Sequence, residues 1–195
     1  MNKYPLLPLS SAFPVVAIVG AMLYAGICLS AAQSDPTKGS HKVLMAASTH
    51  ATELTAKPIR VELSITKNKD KNADLGSRLG SLPASQHIYL VLKGLHATSQ
   101  PGTLFHIYLD LAEGVTPNPE DIRHLGSINF YNAIPVQDAP KNKAPLVVSL
   151  DITDAIRTLQ SKRSLGHAGT ITIAPTRPPE AGAKPVIDHI EIIAR

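Results

Sequence analysis

The 195-residue chain contains no Trp, three Phe, five Tyr and a single Cys. With Cys28 alone, neither an intrachain disulfide nor a thiolate metal cluster can form. Charged residues make up 17% of the chain, below the usual quarter, which excludes a polyelectrolyte and a strongly disordered protein. The 19 Lys and Arg against 15 acidic residues leave a small positive excess, spread along the chain and not gathered into a stripe. Nucleic-acid binding is therefore not indicated. A GxSxG elbow and a Gly-rich phosphate loop are both missing, so nothing encodes covalent catalysis or nucleotide binding.

Eight His stand at positions 41, 50, 87, 96, 106, 124, 167 and 189 without HxH, HxxH, HxxxH or HExxH spacing. Local chelation is absent, and only distant strands could unite His106, His124 or His189, whose imidazoles suit copper, nickel or zinc. Surface or hydrogen-bonded structural His is the favoured reading. Two carboxylate pairs, Glu120 with Asp121 and Asp151 with Asp154, have the residue types for acid and base work. The first lies in a Pro-flanked loop and the second fits helix capping, which favours structural roles. On these residues the protein carries no chemistry and no cofactor of its own.

What is present is a hydrophobic fraction of 44% and 16 Pro, divided unevenly along the chain. Met1 to Ala32 has the layout of an export segment: Lys3, the apolar run Phe13 to Leu29, then Ser30, Ala31 and Ala32. Small residues at 30 and 32 place cleavage before Gln33; the alternative is retention as a membrane anchor through residues 13–29. Cys28 follows Ala25, Gly26 and Ile27, which fits a buried Cys better than a lipidated one. The expected destination is periplasmic or extracellular, with membrane contact only through that segment.

Gln33 to Lys57 is rich in Ser, Thr, Ala and Lys without a sustained period, and is expected to be a flexible linker. Beyond Pro58 the pattern changes. Ile59, Val61, Leu63 and Ile65 alternate with polar residues, as in a half-buried strand. Lys67 to Ser85 reads as a solvated loop. Further strands are expected over His87–Leu95, Leu104–Leu111, Leu125–Tyr131, Leu146–Ile152, Thr170–Ala174 and Val186–Ala194. Phe105, Ile107, Leu109 and Leu111 should share the core face, opposite His106, Tyr108 and Asp110. One helix starts near Thr153, with the Thr153 hydroxyl as cap and Ile152, Ile156 and Leu159 on its buried face. The fold class is all-β: a seven- to eight-stranded antiparallel sandwich or barrel with one short helix, spanning 58–195 after the hydrophobic N-terminal segment.

The succession of blocks carries a resemblance. Pro58-Ile59-Arg60-Val61 precedes a charged loop; His87 to Leu95 and Phe105 to Asp110 follow as paired strands; His124 to Phe130 comes next. Leu150 to Ile156 then runs into a Thr-Asp-started helix, and Thr170 to Pro175 with Ile187 to Ile192 close the chain. In order and spacing, over 138 residues from Pro58 to Arg195, this resembles the C-terminal domain of tyrosinases and plant polyphenol oxidases, named for its Lys-Phe-Asp-Val motif. Leu104-Phe105-His106-Ile107 stands at the motif: Phe105 and Ile107 keep its apolar character, while Leu104 and His106 replace its Lys and Asp. The Cys-containing copper-transfer motif of fungal relatives is absent, as is the helical dicopper domain with its six His.

The resemblance implies a non-enzymatic shielding module, a β-sandwich lid that docks in trans on a separately encoded tyrosinase-like dicopper oxidase and places a side chain in its pocket mouth. Candidates for that side chain are Val115, in the loop from Ala112 to Ile122, and Tyr131 or Ile134; local packing is the alternative for each. Two other readings remain: a stand-alone cell-envelope binding or structural sandwich, and a small copper carrier using His106, His124 or His189.

Overall fold

Alternating and apolar runs settle into nine strands and two short helices in the computed structural model, which describes residues 42–66, 74–131, 133, 145–167 and 169–195. These belong to one unit, Gly39–Arg195. The N-terminal segment expected to direct export, with Cys28, and Ile134 lie outside the described residues. In chain order the elements are β1 (Val43–Ser48), β2 (Thr52–Glu53), β3 (Ile59–Ile65), α1 (Leu75–Gly80), β4 (Ile88–His96) and β5 (Phe105–Leu109). They continue with β6 (His124–Ile128), β7 (Leu146–Asp151), α2 (Thr153–Ser161), β8 (Thr170–Pro175) and β9 (Val186–Ala194).

Hydrogen bonding joins the strands, all antiparallel, in the order β6-β5-β8-β3-β1-β9-β4-β7, with β2 added on β9. β3 makes the corner. Ile59 to Glu62 pair with β8, whereas Leu63 to Ile65 pair with β1, so one strand serves two sheets and curls them over a common core. The two ends of the array approach where Gly126 of β6 meets Leu150 of β7: a Cβ on Gly126 would lie 3.3 Å from Leu150 Cδ1. The result is a nearly closed antiparallel barrel, the all-β class that the strand pattern implies.

Its interior is filled by Leu90, Leu92, Phe105, Ile107, Ile171, Ile173, Ile190 and Ile192, all buried. Burying each such side chain contributes roughly 1.5–3 kcal/mol. This core supplies the stability that a chain with one Cys must find without disulfides.

Four local expectations change. The tether expected from Gln33 to Lys57 carries β1 and β2, and Met45 and Ala46 are buried against the barrel. A register shift between Leu44 and Ala46 breaks the alternation of β1, while Ser48 Oγ accepts the buried Ile190 N–H at 2.9 Å. The sheet therefore begins ahead of Pro58. Within the expected solvated loop, α1 buries Leu75 and Leu79, with Asp74 as N-cap accepting from Ser77 N–H at 2.7 Å.

The third change concerns α2, where Ile152, Ile156 and Leu159 are buried as expected but the Thr153 hydroxyl does not cap. Thr153 Oγ1 instead accepts from Ile88 N–H at 2.8 Å and donates to Asp151 Oδ1 at 2.5 Å. Asp151 takes the Thr153 N–H at 3.0 Å and so acts as the capping carboxylate. Fourth, Asp110 adopts a left-handed φ of 52°, which ends the alternation of β5. Leu111 consequently packs with Tyr108 and Ala174 on the outer face and not with Phe105.

Candidate functional site

The strand registers build a polar row on the outer face of the β6-β5-β8-β3 portion. His124 is opposite Tyr108, Tyr108 opposite Thr172, and Thr172 opposite Arg60. His106 lies one step along, opposite Ser127. His106 Nδ1 is 3.2 Å from His124 Nε2 and 2.7 Å from Ser127 Oγ, so two imidazoles and a hydroxyl converge on one point. Tyr108 is buried under the strand-ending turn, its ring centroid 5.2 Å from that of His124. Arg60 Nη1 donates to the Leu111 carbonyl and holds that turn down.

Burial pushes the Tyr108 phenol above its usual pKa, and the Asp121 carboxylate adds to the effect. The Tyr108 hydroxyl and Thr172 Oγ1 are buried without a hydrogen-bond partner among the described residues. For His124 the pKa is lowered, chiefly by burial and next by the neighbouring His106, against smaller opposite effects of the Gly126 backbone and Glu120. Imidazole His124 is therefore held neutral at pH values where an exposed His would begin to charge.

Of the three His singled out from sequence, the fold brings together His106 and His124 but not His189. His189 sits on β9, where its Nε2 is 3.5 Å from Glu191 Oε1. Lys93 Nζ approaches the same carboxylate oxygen at 2.5 Å and Lys42 reaches Oε2 at 3.5 Å. Among the described residues no group of three or more His, Cys, Asp or Glu is arranged to hold a metal. The carboxylate pairs are structurally engaged: Asp121 Oδ1 accepts from Arg123 N–H at 2.8 Å, and Asp151 Oδ2 lies 3.2 Å from His87 Nδ1.

The motif segment is split by the strand pleat. Phe105 and Ile107 are buried, His106 faces outward, and Leu104 is exposed. Phe105 meets the buried Phe130 edge to face, with ring centroids 5.6 Å apart. The next residue, Tyr131, is 80% exposed. Its backbone is held at both ends: Tyr131 N–H donates to Asn129 Oδ1 at 3.1 Å, and its carbonyl accepts from Gln100 Nε2 at 3.0 Å. Tyr131 and Leu104 flank an open cavity of about 570 Å³ that also involves Gln100, Thr103 and Arg177. Val115, also exposed, borders a separate cleft of about 430 Å³ with Leu111 and Thr172. Leu104 precedes β5 and Tyr131 follows β6, whereas Val115 follows β5, so Tyr131 and Val115 stand at opposite ends of this strand pair. The five residues of β5 alone span roughly 17 Å, too far for both side chains to enter one mouth.

Sequence reasoning placed His106 and Tyr108 on one face through their period of two. It missed Ser127, Thr172 and Arg60, because only the registers with β6, β8 and β3 bring these alongside.

The family described as Domain of unknown function (DUF7868) matches residues 42–195, and the chain belongs to it. Among solved structures, latent apple tyrosinase is similar at 16% identity, covering 73% of this chain and 27% of that one, with a TM-score of 0.42. Recombinantly expressed latent aurone synthase, a polyphenol oxidase, gives 14% identity, 73% and 25% coverage and a TM-score of 0.39. The same latent enzyme from its natural source gives 14%, 73%, 25% and 0.38. The chain thus spans about a quarter of the length of these oxidases. No curated protein matches it.

Proposed function

We propose that the protein is an exported, non-enzymatic accessory module that docks in trans on a type 3 copper oxidase and occludes the mouth of its active site. Two features support the reading. The ordered blocks that resemble the tyrosinase C-terminal domain fall on strands or on the start of α2, in the sequence order of the resemblance. Tyr131, the observation that carries the proposal, projects an aromatic side chain from a backbone held by Asn129 and Gln100 and backed by buried Phe130. A rigid base with one exposed ring is what a steric plug requires, since ordering a loose loop on docking would cost affinity. Leu104 beside it extends the apolar contact.

Of the three candidates we take Tyr131 as the plug for its exposed ring on an anchored backbone; Val115 stands at the opposite end of the strand pair, and Ile134 lies outside the described residues. The test is diphenol oxidation by a tail-less type 3 copper oxidase of the same source, with and without the full chain at stoichiometric excess. Inhibition that competes with substrate and is lost in Tyr131→Ala is expected. An oxidase neither bound nor slowed by the folded wild-type chain overturns the proposal and leaves a cell-envelope binding module as the working reading.

A further inference from the structure

We infer that His106 and His124 form an open two-imidazole site for a late first-row divalent cation, copper(II) before zinc, with Ser127 as the adjoining oxygen donor. The inference stands apart from the shielding proposal and rests on different residues of the β5–β6 pair.

The distances are those of a chelating pair. Metal to imidazole bonds of about 2.0–2.1 Å separate two ligating nitrogens by roughly 2.9 Å at the right angle of tetragonal copper(II) and by roughly 3.3 Å at the tetrahedral angle of zinc. His106 Nδ1 and His124 Nε2 are 3.2 Å apart, and Ser127 Oγ lies 2.7 Å from the former. An ion seated just outside this contact needs little movement of either ring. The proton inventory agrees. At most one proton fits between the two facing nitrogens, so at least one of them presents a lone pair to the other. A cation takes the lone pairs of both imidazoles, while the Ser127 hydroxyl turns its proton outward.

The scaffold is suited to hold such a pair. Both His lie on β5 and β6, antiparallel neighbours whose register is set by Phe105 opposite Ile128 and His106 opposite Ser127. Glu120 adds a negative field at His124, which favours a cation. Arg123 is nearby in sequence but its Nη1 is directed to Asp121 at 3.8 Å. Both imidazoles are only partly buried, so water completes the coordination. Neutral imidazole ligands select copper, nickel and zinc over magnesium and calcium, and the affinity order puts copper(II) first.

The full chain is titrated with copper(II) chloride and, separately, zinc chloride, followed by electron paramagnetic resonance for copper and imidazole NMR for zinc. One equivalent bound through two nitrogens is expected, with the His106 and His124 resonances shifting together. His106→Gln or His124→Gln should weaken that binding by about tenfold or more, whereas His189→Gln should leave it unchanged. Binding of equal strength in both Gln variants, or shifts confined to other imidazoles in the wild-type chain, overturns the inference. The wild-type resonances decide the matter even where a variant fails to fold.

Discussion

Gly94 lies against Asp188 so closely that a Cβ on the glycine would sit 2.0 Å from Asp188 Oδ2, and it holds a φ of +67° that disfavours any other residue. It occupies the register shift between Lys93 and Leu95, where β4 bulges against β7 while keeping its register with β9. Gly94→Ala is expected to cost about 1–2 kcal/mol from the left-handed backbone alone, plus the displacement of Asp188. Urea unfolding followed by far-ultraviolet circular dichroism reads this as a lower midpoint at unchanged slope. Adding Asp188→Gly should recover only the displacement component. A Gly94→Ala protein as stable as wild type would show that the bulge does not constrain β4.

The carboxylate of Glu191 is buried on the strand next to that bulge, and it carries a pH prediction. Burial is the largest influence and acts to raise its pKa, but the Lys93 hydrogen bond together with the charges of Lys93 and Lys42 brings it below the usual 4.5. A depressed folded pKa means stability present above the unfolded value and lost as pH falls through the folded one. Acid unfolding should therefore include Glu191 below about pH 4.5. Lys93→Met leaves it with Lys42 and His189 alone, and should move acid unfolding to higher pH. Because Lys93 is itself partly exposed, the cost at pH 7 should be about 1 kcal/mol. Melting curves at pH 7 and pH 3 that move equally in the variant and the wild type would refute the coupling.

Thr153 ties α2 to β4 through a buried bond to the Ile88 N–H. Thr153→Val keeps the shape and removes the acceptor, leaving that N–H and the Asp151 carboxylate short of a partner. The expected loss is about 1–3 kcal/mol, with Thr153→Ser restoring most of it. Thermal unfolding of the three proteins distinguishes this bond from simple packing, which the Val variant would preserve.

What could be read from the chain beforehand depended on whether local pattern or long-range register decides the outcome. β3 was legible because Ile59, Val61, Leu63 and Ile65 alternate, and α2 because Ile152, Ile156 and Leu159 share one face. β1 was not, since a bulge interrupts Leu44 and Ala46 and its small residues look like those of a tether. The left-handed Asp110 carried Leu111 to the wrong face for a strict period of two. His106 and His124 stand eighteen positions apart, and nothing in their spacing announces a contact that the β5–β6 register creates. Phe130 and Tyr131 are consecutive aromatics of which one is buried and the other exposed, a distinction set by packing against Phe105.

Tyr108 supplies a prediction of opposite sign to most core substitutions. Its hydroxyl is buried without a partner among the described residues, so Tyr108→Phe removes a desolvated polar group and little packing. A gain of up to about 1 kcal/mol is expected, seen as a rise in Tm of about 2–4 °C. A destabilised Tyr108→Phe protein would mean that the hydroxyl has a bound partner in solution, an ordered water being the simplest.

Adjacent Phe130 and Tyr131 separate stability from docking in one experiment. Phe130 is 1% exposed and meets Phe105, so Phe130→Ala opens a cavity and should cost about 3–5 kcal/mol. Tyr131 is exposed, and its two anchoring hydrogen bonds use backbone atoms that survive truncation. Tyr131→Ala should therefore change stability by less than about 0.5 kcal/mol, yet abolish inhibition of the tail-less oxidase. Tyr131→Phe should retain inhibition if the ring acts by filling the mouth, because the plug is steric and its hydroxyl is dispensable. Were Tyr131→Ala to inhibit as well as wild type while Val115→Ala did not, the docking end would be the opposite end of the β5–β6 pair, and the cavity beside Leu104 would have no part in occlusion.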